Sequence, residues 1–305
     1  MVPALKLAIT GATGFVGAHL LDLATSEGHD VRALTRREQP PRDSVTWVDG
    51  ALDVPEALST LVEGADAVIH VAGVINAPDA AGFDRGNVAG TAAMLAAARG
   101  AGVGRFVHVS SLAAREPGLS LYGASKARSE ALVTSAGLPG AIVRPPAVYG
   151  PGDRETLELF RMARRGLIFL PPSGRLSLIH VSDLARLLLA LAAPDAPSGL
   201  LIEPDDGQAN GWTHREFAAA LGRAVGRRAA AVSTPRSILA LAGRADRLIR
   251  GDKAKMTPDR AAYFAHPDWT VSTDRAAPPA FWSPRVMTDE GLTQTAAWYR
   301  EAGWL

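Results

Sequence analysis

Short, nearly continuous apolar runs recur along the first half of the chain, separated by longer stretches with helical spacing. Residues 7–9, 31–34, 45–48, 67–71, 105–109 and 140–143 have the length and texture of buried strands. Between them, 15–27, 55–62, 87–100 and 120–135 repeat their apolar positions at helical intervals. This alternation predicts an α/β fold in which a doubly wound parallel sheet carries helices on both faces. The alanine-rich stretch 91–98 suits a closely packed helix, because alanine costs least in a helix and leaves room for a neighbour.

After Pro145 the texture changes. Pro145-Pro146, Pro151-Gly152 and Pro171-Pro172 mark loops, and 156–165 reads as a helix. The strongly apolar segment 180–192 is expected to pack back on the first domain. From residue 198 onward, short strand-like and helical pieces read as a smaller lobe ending in a helix at 290–302. The expected division is a dinucleotide-binding domain at 1–150, with helix 180–194 packed on it, and a mainly substrate-binding lobe at 151–305.

The first strand runs into Thr10-Gly-Ala-Thr-Gly-Phe-Val-Gly17 and then into a helix. Each glycine has its own task in such a turn. Gly11 permits a sharp bend, Gly14 removes a side chain where a pyrophosphate approaches the amides, and Gly17 lets the helix lie close to the strand. The helix's free N–H groups and the positive end of its dipole then hold the anion.

The chain's 305 residues suffice for a large core, and 47% apolar, 21% charged residues and a net charge of +1 are ordinary for a soluble globular protein. No basic run interleaved with aromatics points to nucleic acid. The absence of cysteine excludes disulfides, thiol catalysis and cysteine-ligated metal. The seven histidines are scattered, so no catalytic metal is expected. His70 and His108 fall in central strands and read as satisfied core or crevice residues. No G-x-S-x-G elbow occurs. Residues 1–5 lead straight into the first strand without a leader pattern, and no apolar stretch has membrane-spanning length, so a cytoplasmic location is expected. The amphipathic stretch 237–255 reads as a lobe helix.

A second constellation carries chemistry. In Tyr122-Gly-Ala-Ser-Lys126 the phenol and the ammonium project from one helix face, four residues apart. A neighbouring positive charge favours the phenolate and draws a tyrosine from about 10 toward working pH, making Tyr122 a general acid/base. Ser110-Ser111 follows the strand 105–109, where residues at carboxyl ends line the ligand crevice.

These stretches together resemble the extended short-chain dehydrogenases/reductases, the superfamily of NAD(P)-dependent epimerases, dehydratases and reductases. The resemblance extends through A-V-I-H-V-A-G at 67–73, N-V-A-G-T at 87–91, V-S-S at 109–111, R-P-P-A-V-Y-G-P-G-D at 144–153 and H-V-S-D-L-A at 180–185. It covers about the first 195 residues and implies a Rossmann-like fold. It implies Tyr122 as the group exchanging a proton with substrate, Lys126 on the nicotinamide ribose and Ser111 orienting the substrate. It further implies cofactor contacts by Gly11, Thr13, Gly14, Phe15 and Val16 at the turn, by Leu52 and Asp53, by Ala72, Gly73, Asn87 and Val109, and by Pro145 and Val148 beside the nicotinamide. Homodimers formed through two helices per subunit are implied as well, matched here by 87–100 and 120–135.

The second strand ends in Arg36-Arg37, which suits a 2′-phosphate where a carboxylate would select NAD, so NADP(H) is expected, with NAD(H) as the alternative. Two departures stand out. Many members have Gly-Asp-Leu after the third strand, whereas this chain has Gly50-Ala51-Leu52-Asp53, which displaces the carboxylate to Asp53. Many sugar-nucleotide members follow their Ser-Ser with Val-Tyr-Gly, whereas here Leu-Ala-Ala-Arg-Glu follows. The expected function is an NADP(H)-dependent oxidoreductase interconverting a carbonyl and a secondary alcohol on a small or moderately apolar substrate. The alternatives are a nucleotide-sugar epimerase/dehydratase and a non-catalytic dinucleotide-binding regulator or assembly subunit. Trp212, Trp269 and Trp282 serve either as pocket lining or as lobe core.

Overall fold

A computed structural model of the chain describes residues 4–171, 174–235 and 258–305, together with 237, 238, 241, 244, 246, 248 and 251. The amphipathic stretch 237–255 therefore lies largely outside the described residues. The chain divides into two compact units, residues 1–144 with 184–202, and residues 145–183 with 203–305.

The first unit is a seven-stranded sheet. Its strands are β1 (Lys6–Thr10), β2 (Asp30–Thr35), β3 (Val45–Asp49), β4 (Ala67–His70), β5 (Arg105–Val109), β6 (Gly140–Val143) and β11 (Leu200–Ile202), in the order β11-β6-β5-β4-β1-β2-β3. Every neighbouring pair is parallel. β4 and β5 are buried along their whole length, as strands covered on both faces must be. Residues 200–202, expected among the pieces of the smaller lobe, instead extend the main sheet beside β6. Chain progression runs outward from β1 in both directions. That leaves a crevice beyond the carboxyl ends of β1 and β4, which pair from Leu7↔Ala67 to Thr10↔His70.

Helices connect these strands: α1 (Phe15–Ser26), α2 (Pro55–Val62), α3 (Ala80–Phe83), α4 (Gly90–Gly100) and α5 (Leu121–Ala136). A π-helical turn, Asp84–Ala89, leads into α4, where the pattern predicts regular helix from residue 87. α5 starts on Ser120, whose side chain accepts from the Gly123 N–H, and stops at Gly137 in the left-handed conformation. Of helix α7 (Val181–Ala192), residues 184–192 count with this unit, and Leu184, Leu187, Leu188 and Leu191 are fully buried. The buried Arg105 guanidinium donates to the carbonyls of Leu191 and Pro197 and to the Ser198 hydroxyl, satisfying acceptors left at the end of that helix.

The second unit holds smaller sheets. β7 (Ala147–Tyr149) pairs with β10 (Leu178–His180), and β8 (Leu167–Leu170) pairs with β13 (Ala230–Ser233). β9 (Arg175–Leu176) lies between β12 (Trp212–Thr213) and β14 (Asp268–Trp269). Helices α6 (Leu157–Arg164), α8 (His214–Ala224) and α10 (Thr288–Glu301) surround a core that includes Tyr149, Phe160, Phe217, Leu221, Leu292 and Tyr299, and a further helix, α9 (Pro258–Phe264), belongs to the same unit. Trp212 packs against this core with its indole N–H on Asp206, and Trp282 is buried.

Candidate active site

The turn after β1 has the geometry its glycines demand. Gly11 has φ +74, and a Cβ there would lie 2.7 Å from the Ala72 nitrogen, so the bend brings the backbones after β1 and β4 together. A Cβ on Gly17 would lie 2.0 Å from the Gly11 oxygen, which only a bare α-carbon avoids. Gly14 is the N-cap of α1 and supplies no side-chain cap, so first-turn N–H groups remain for another acceptor. Thr10 Oγ1 bonds His70 Nδ1 at 2.7 Å and accepts from the Ala72 N–H at 3.2 Å, which ties the turn to the end of β4.

Lys126 is buried at 4% exposure, and its Nζ donates to the Val109 carbonyl at the end of β5 at 2.9 Å. Burial lowers its pKa to about 8, opposed by the negative charge of Glu130. Tyr122, one turn earlier on α5, is half-buried, with its ring 6.1 Å from that of Phe83. A Cβ on Gly73 would lie 3.1 Å from Lys126 Nζ and 3.0 Å from Asn87 Oδ1, so Gly73, Asn87 and Lys126 meet at one point. Ser111 stands two residues beyond the end of β5. It caps the 3-10 turn Leu112–Arg115 by accepting from the Ala113 N–H at 3.2 Å, an arrangement that leaves its O–H to be donated.

Asn87 is almost fully buried. Its amide accepts from the Val74 N–H and donates to the Val74 carbonyl and to Ser125 Oγ. His70 Nε2 bonds Thr91 Oγ1, which itself donates to the Asn87 carbonyl. His70 and His108 stack with centroids 5.5 Å apart. Burial, reinforced by the Lys126 charge, lowers the His70 pKa to about 3 and holds His108 far below the usual histidine range. Both are neutral core residues.

The other expected residues are placed as follows. Thr13 is exposed and Phe15 and Val16 are half-buried at the start of α1; Arg36 and Arg37 are exposed at the carboxyl end of β2. Thr35 Oγ1 donates to the Arg37 carbonyl at 2.7 Å and accepts from its N–H, closing that loop. Leu52 packs against the α-carbon of Gly90, and Asp53 is exposed. Pro145 and Val148 belong to the second unit, where Val148 pairs with Ile179. A cleft of about 340 Å³ lined by Lys6, Asp30, Arg32 and Glu63 opens at the amino ends of β1 and β2. Open parallel sheets bind ligands at the opposite edge, so this cleft is not the site.

One buried cluster is absent from the sequence-based expectations. Arg144, at the end of β6, grips the Glu130 carboxylate with two hydrogen bonds of 2.8 and 2.6 Å, and Ser110 Oγ donates to the same carboxylate at 2.5 Å. Glu130 stands four residues beyond Lys126. That spacing is the one available signal, and it says nothing of burial.

The profile of the NAD dependent epimerase/dehydratase family matches residues 7–200. The chain belongs to that family. It is 40% identical to a ceramide reductase of Caulobacter vibrioides over 98% of this chain and 96% of the relative. It is 33% identical to 4-hydroxy-2-methyl-3-oxo-4-farnesyl-3,4-dihydroquinoline-1-oxide ketoreductase of Stigmatella aurantiaca over 65% and 67% of the two chains. Among solved structures, MoeE5 in complex with UDP-glucuronic acid and NAD superposes with a TM-score of 0.75 at 23% identity, covering 98% of this chain and 100% of that one, and shares the fold. As a family member with reductase relatives the chain is an NAD(P)-dependent oxidoreductase or epimerase of the extended short-chain dehydrogenase/reductase type. The uncapped α1 start, the glycine approach at Gly11 and the glycine beside Lys126 fit a pyridine dinucleotide along the crevice.

Proposed function

We propose that this oxidoreductase reduces a ketone on a lipid-like substrate with NADPH. A buried ammonium one helical turn from Tyr122 carries the chemistry, and similarity along nearly the whole chain to a ceramide reductase supports the substrate class. When bound, the dinucleotide supplies the hydride. The chain's own residues move one proton and hold the reactants. Ser111 donates a hydrogen bond to the carbonyl oxygen, and Tyr122 transfers its phenolic proton to that oxygen as it becomes an alkoxide. Lys126, anchored on the Val109 carbonyl, stabilises the resulting phenolate by charge and binds the ribose.

Arg36 and Arg37 support the choice of NADPH. Both side chains are exposed at the end of β2, neither has an ion-pair partner among the described residues, and a guanidinium engages a phosphate through two parallel bonds.

The test is a spectrophotometric assay of cofactor oxidation with a keto-ceramide, a 2-alkyl-3-oxoalkanoate and a nucleotide sugar. Stoichiometric NADPH consumption with a keto-lipid is expected, with kcat/KM at least about tenfold lower for NADH. Tyr122→Phe should lower kcat by about 10²- to 10⁴-fold, the usual contribution of a positioned proton donor. Turnover of the nucleotide sugar without net NADPH loss would overturn this reading in favour of epimerisation.

A further inference from the structure

We infer that Glu130 is a positioning residue of the reaction, locked by Arg144 and Ser110 so that one buried carboxylate fixes the strand end bearing Ser111 and the helix face bearing Lys126. The inference rests on the reading of Ser111, Tyr122 and Lys126 given above.

Three elements converge on this carboxylate. Glu130 comes from α5, Ser110 from the residue after β5, and Arg144 from the residue after β6. Both partners of the ion pair are nearly excluded from solvent, with side-chain exposures of 12% for Arg144 and 8% for Glu130. Arg144 binds both carboxylate oxygens, Oε1 through Nε and Oε2 through the terminal nitrogen, and Oε1 also accepts from Ser110. That bidentate grip sets the rotation of Glu130 about its own axis. Ser110 is covalently next to Ser111, so the bond that fixes Ser110 also limits where the Ser111 hydroxyl points. On the helix, Glu130 and Lys126 are neighbours on one face. The same carboxylate therefore opposes the loss of the Lys126 proton.

Among the described residues, the charged and titratable groups facing Lys126 are few. Glu130 and Tyr122 lie on its own helix, His108 on β5, His70 on β4, and Arg144 stands behind Glu130. Both histidines are neutral, so Glu130 is the anion that offsets the burial of this ammonium. In the reducing direction the active enzyme carries a protonated Tyr122 and a charged Lys126. Removing a nearby negative charge makes the first proton leave this pair at lower pH. A carboxylate that only stapled helix to sheet would leave the pH profile in place.

The experiment compares Glu130→Gln with the wild type in NADPH binding, kcat, KM and the pH dependence of ketone reduction. Expected are a dissociation constant for NADPH within about threefold of wild type and a kcat at least about tenfold lower. The alkaline limb should move to lower pH by on the order of one unit, the scale of one buried neighbouring charge. A folded Glu130→Gln variant with wild-type kcat and an unmoved alkaline limb overturns the inference. Glu130→Asp keeps the charge and withdraws it by one methylene, and it serves if the amide variant does not fold. Its limb should stay where the wild type has it while kcat falls severalfold, and wild-type kcat there overturns the positioning role. Tyr122→Phe, assayed in parallel, separates the two claims. Retained turnover in that variant sinks the reading of the site and this inference with it. Lost turnover there, beside an unmoved Glu130→Gln profile, sinks this inference alone.

Discussion

Lys126 sits where its own charge is disfavoured. A lysine drawn from its ordinary 10.5 to about 8 by burial carries an unfavourable free energy of about 3 kcal/mol at neutral pH, at roughly 1.4 kcal/mol per unit. The hydrogen bond to the Val109 carbonyl and the opposing charge of Glu130 hold the ammonium in place against that burial. Lys126→Met should therefore fold at least as stably as the wild type at pH 7, while losing most of its turnover. The sign of the pH dependence follows from proton counts. Between about 8 and 10.5 the unfolded chain holds a proton on Lys126 that the folded chain has released, so wild-type stability rises with pH across that window relative to the Met variant. Denaturant melts of both proteins at pH 7, 8.5 and 10 would show this, and a stability gap constant across the three would refute it. The Tyr122–Lys126 spacing was legible in the sequence because four residues on a helix are neighbours whatever surrounds them. The depth of Lys126 was not, because burial is a property of what packs over it.

At the scale of single elements, the glycine turn is the most local feature and the one the sequence revealed most fully. Gly17 is the sharp test, since a methyl there would sit 2.0 Å from the Gly11 oxygen, and backbone cannot give way as a flexible side chain can. Gly17→Ala should cost about 1–3 kcal/mol in stability, the usual range for forced overpacking, and weaken dinucleotide binding by at least about tenfold as α1 is pushed from β1. Gly100→Ala is the control. Gly100 closes α4 with nothing within 4 Å of a new Cβ, so binding should be unchanged and stability equal or slightly higher. Equal effects in isothermal titration of the two variants would refute the argument. What escaped the sequence at this scale is non-local. The Glu130–Arg144 pair depends on α5 lying against the end of β6, and β11 joins the sheet beside β6 from about sixty residues further along the chain. Asn87 was singled out in the sequence only through the resemblance. The π-helical turn that accompanies its grip on both backbone groups of Val74 has no periodicity of its own to reveal it.

For the whole molecule, the cofactor question reduces to linkage, because the glycine turn, Arg36, Arg37 and Lys126 all belong to one compact unit. A ligand bound only to the folded state at a hundred times its dissociation constant stabilises that state by about 2.7 kcal/mol. In a domain of 150–250 residues such a gain raises Tm by about 5–10 °C. With NADPH and NADH at equal concentration, NADPH should give the larger rise, because the 2′-phosphate adds charge-assisted bonds to guanidinium groups that otherwise face water. Screening by salt follows for exposed charges, so the gap between the two cofactors should shrink as ionic strength increases. Replacing both Arg36 and Arg37 with Ala should bring the NADPH shift down to the NADH value without altering the latter. Equal shifts for the two cofactors in the wild type would remove the case for NADPH, and no shift with either would remove the dinucleotide from the crevice altogether.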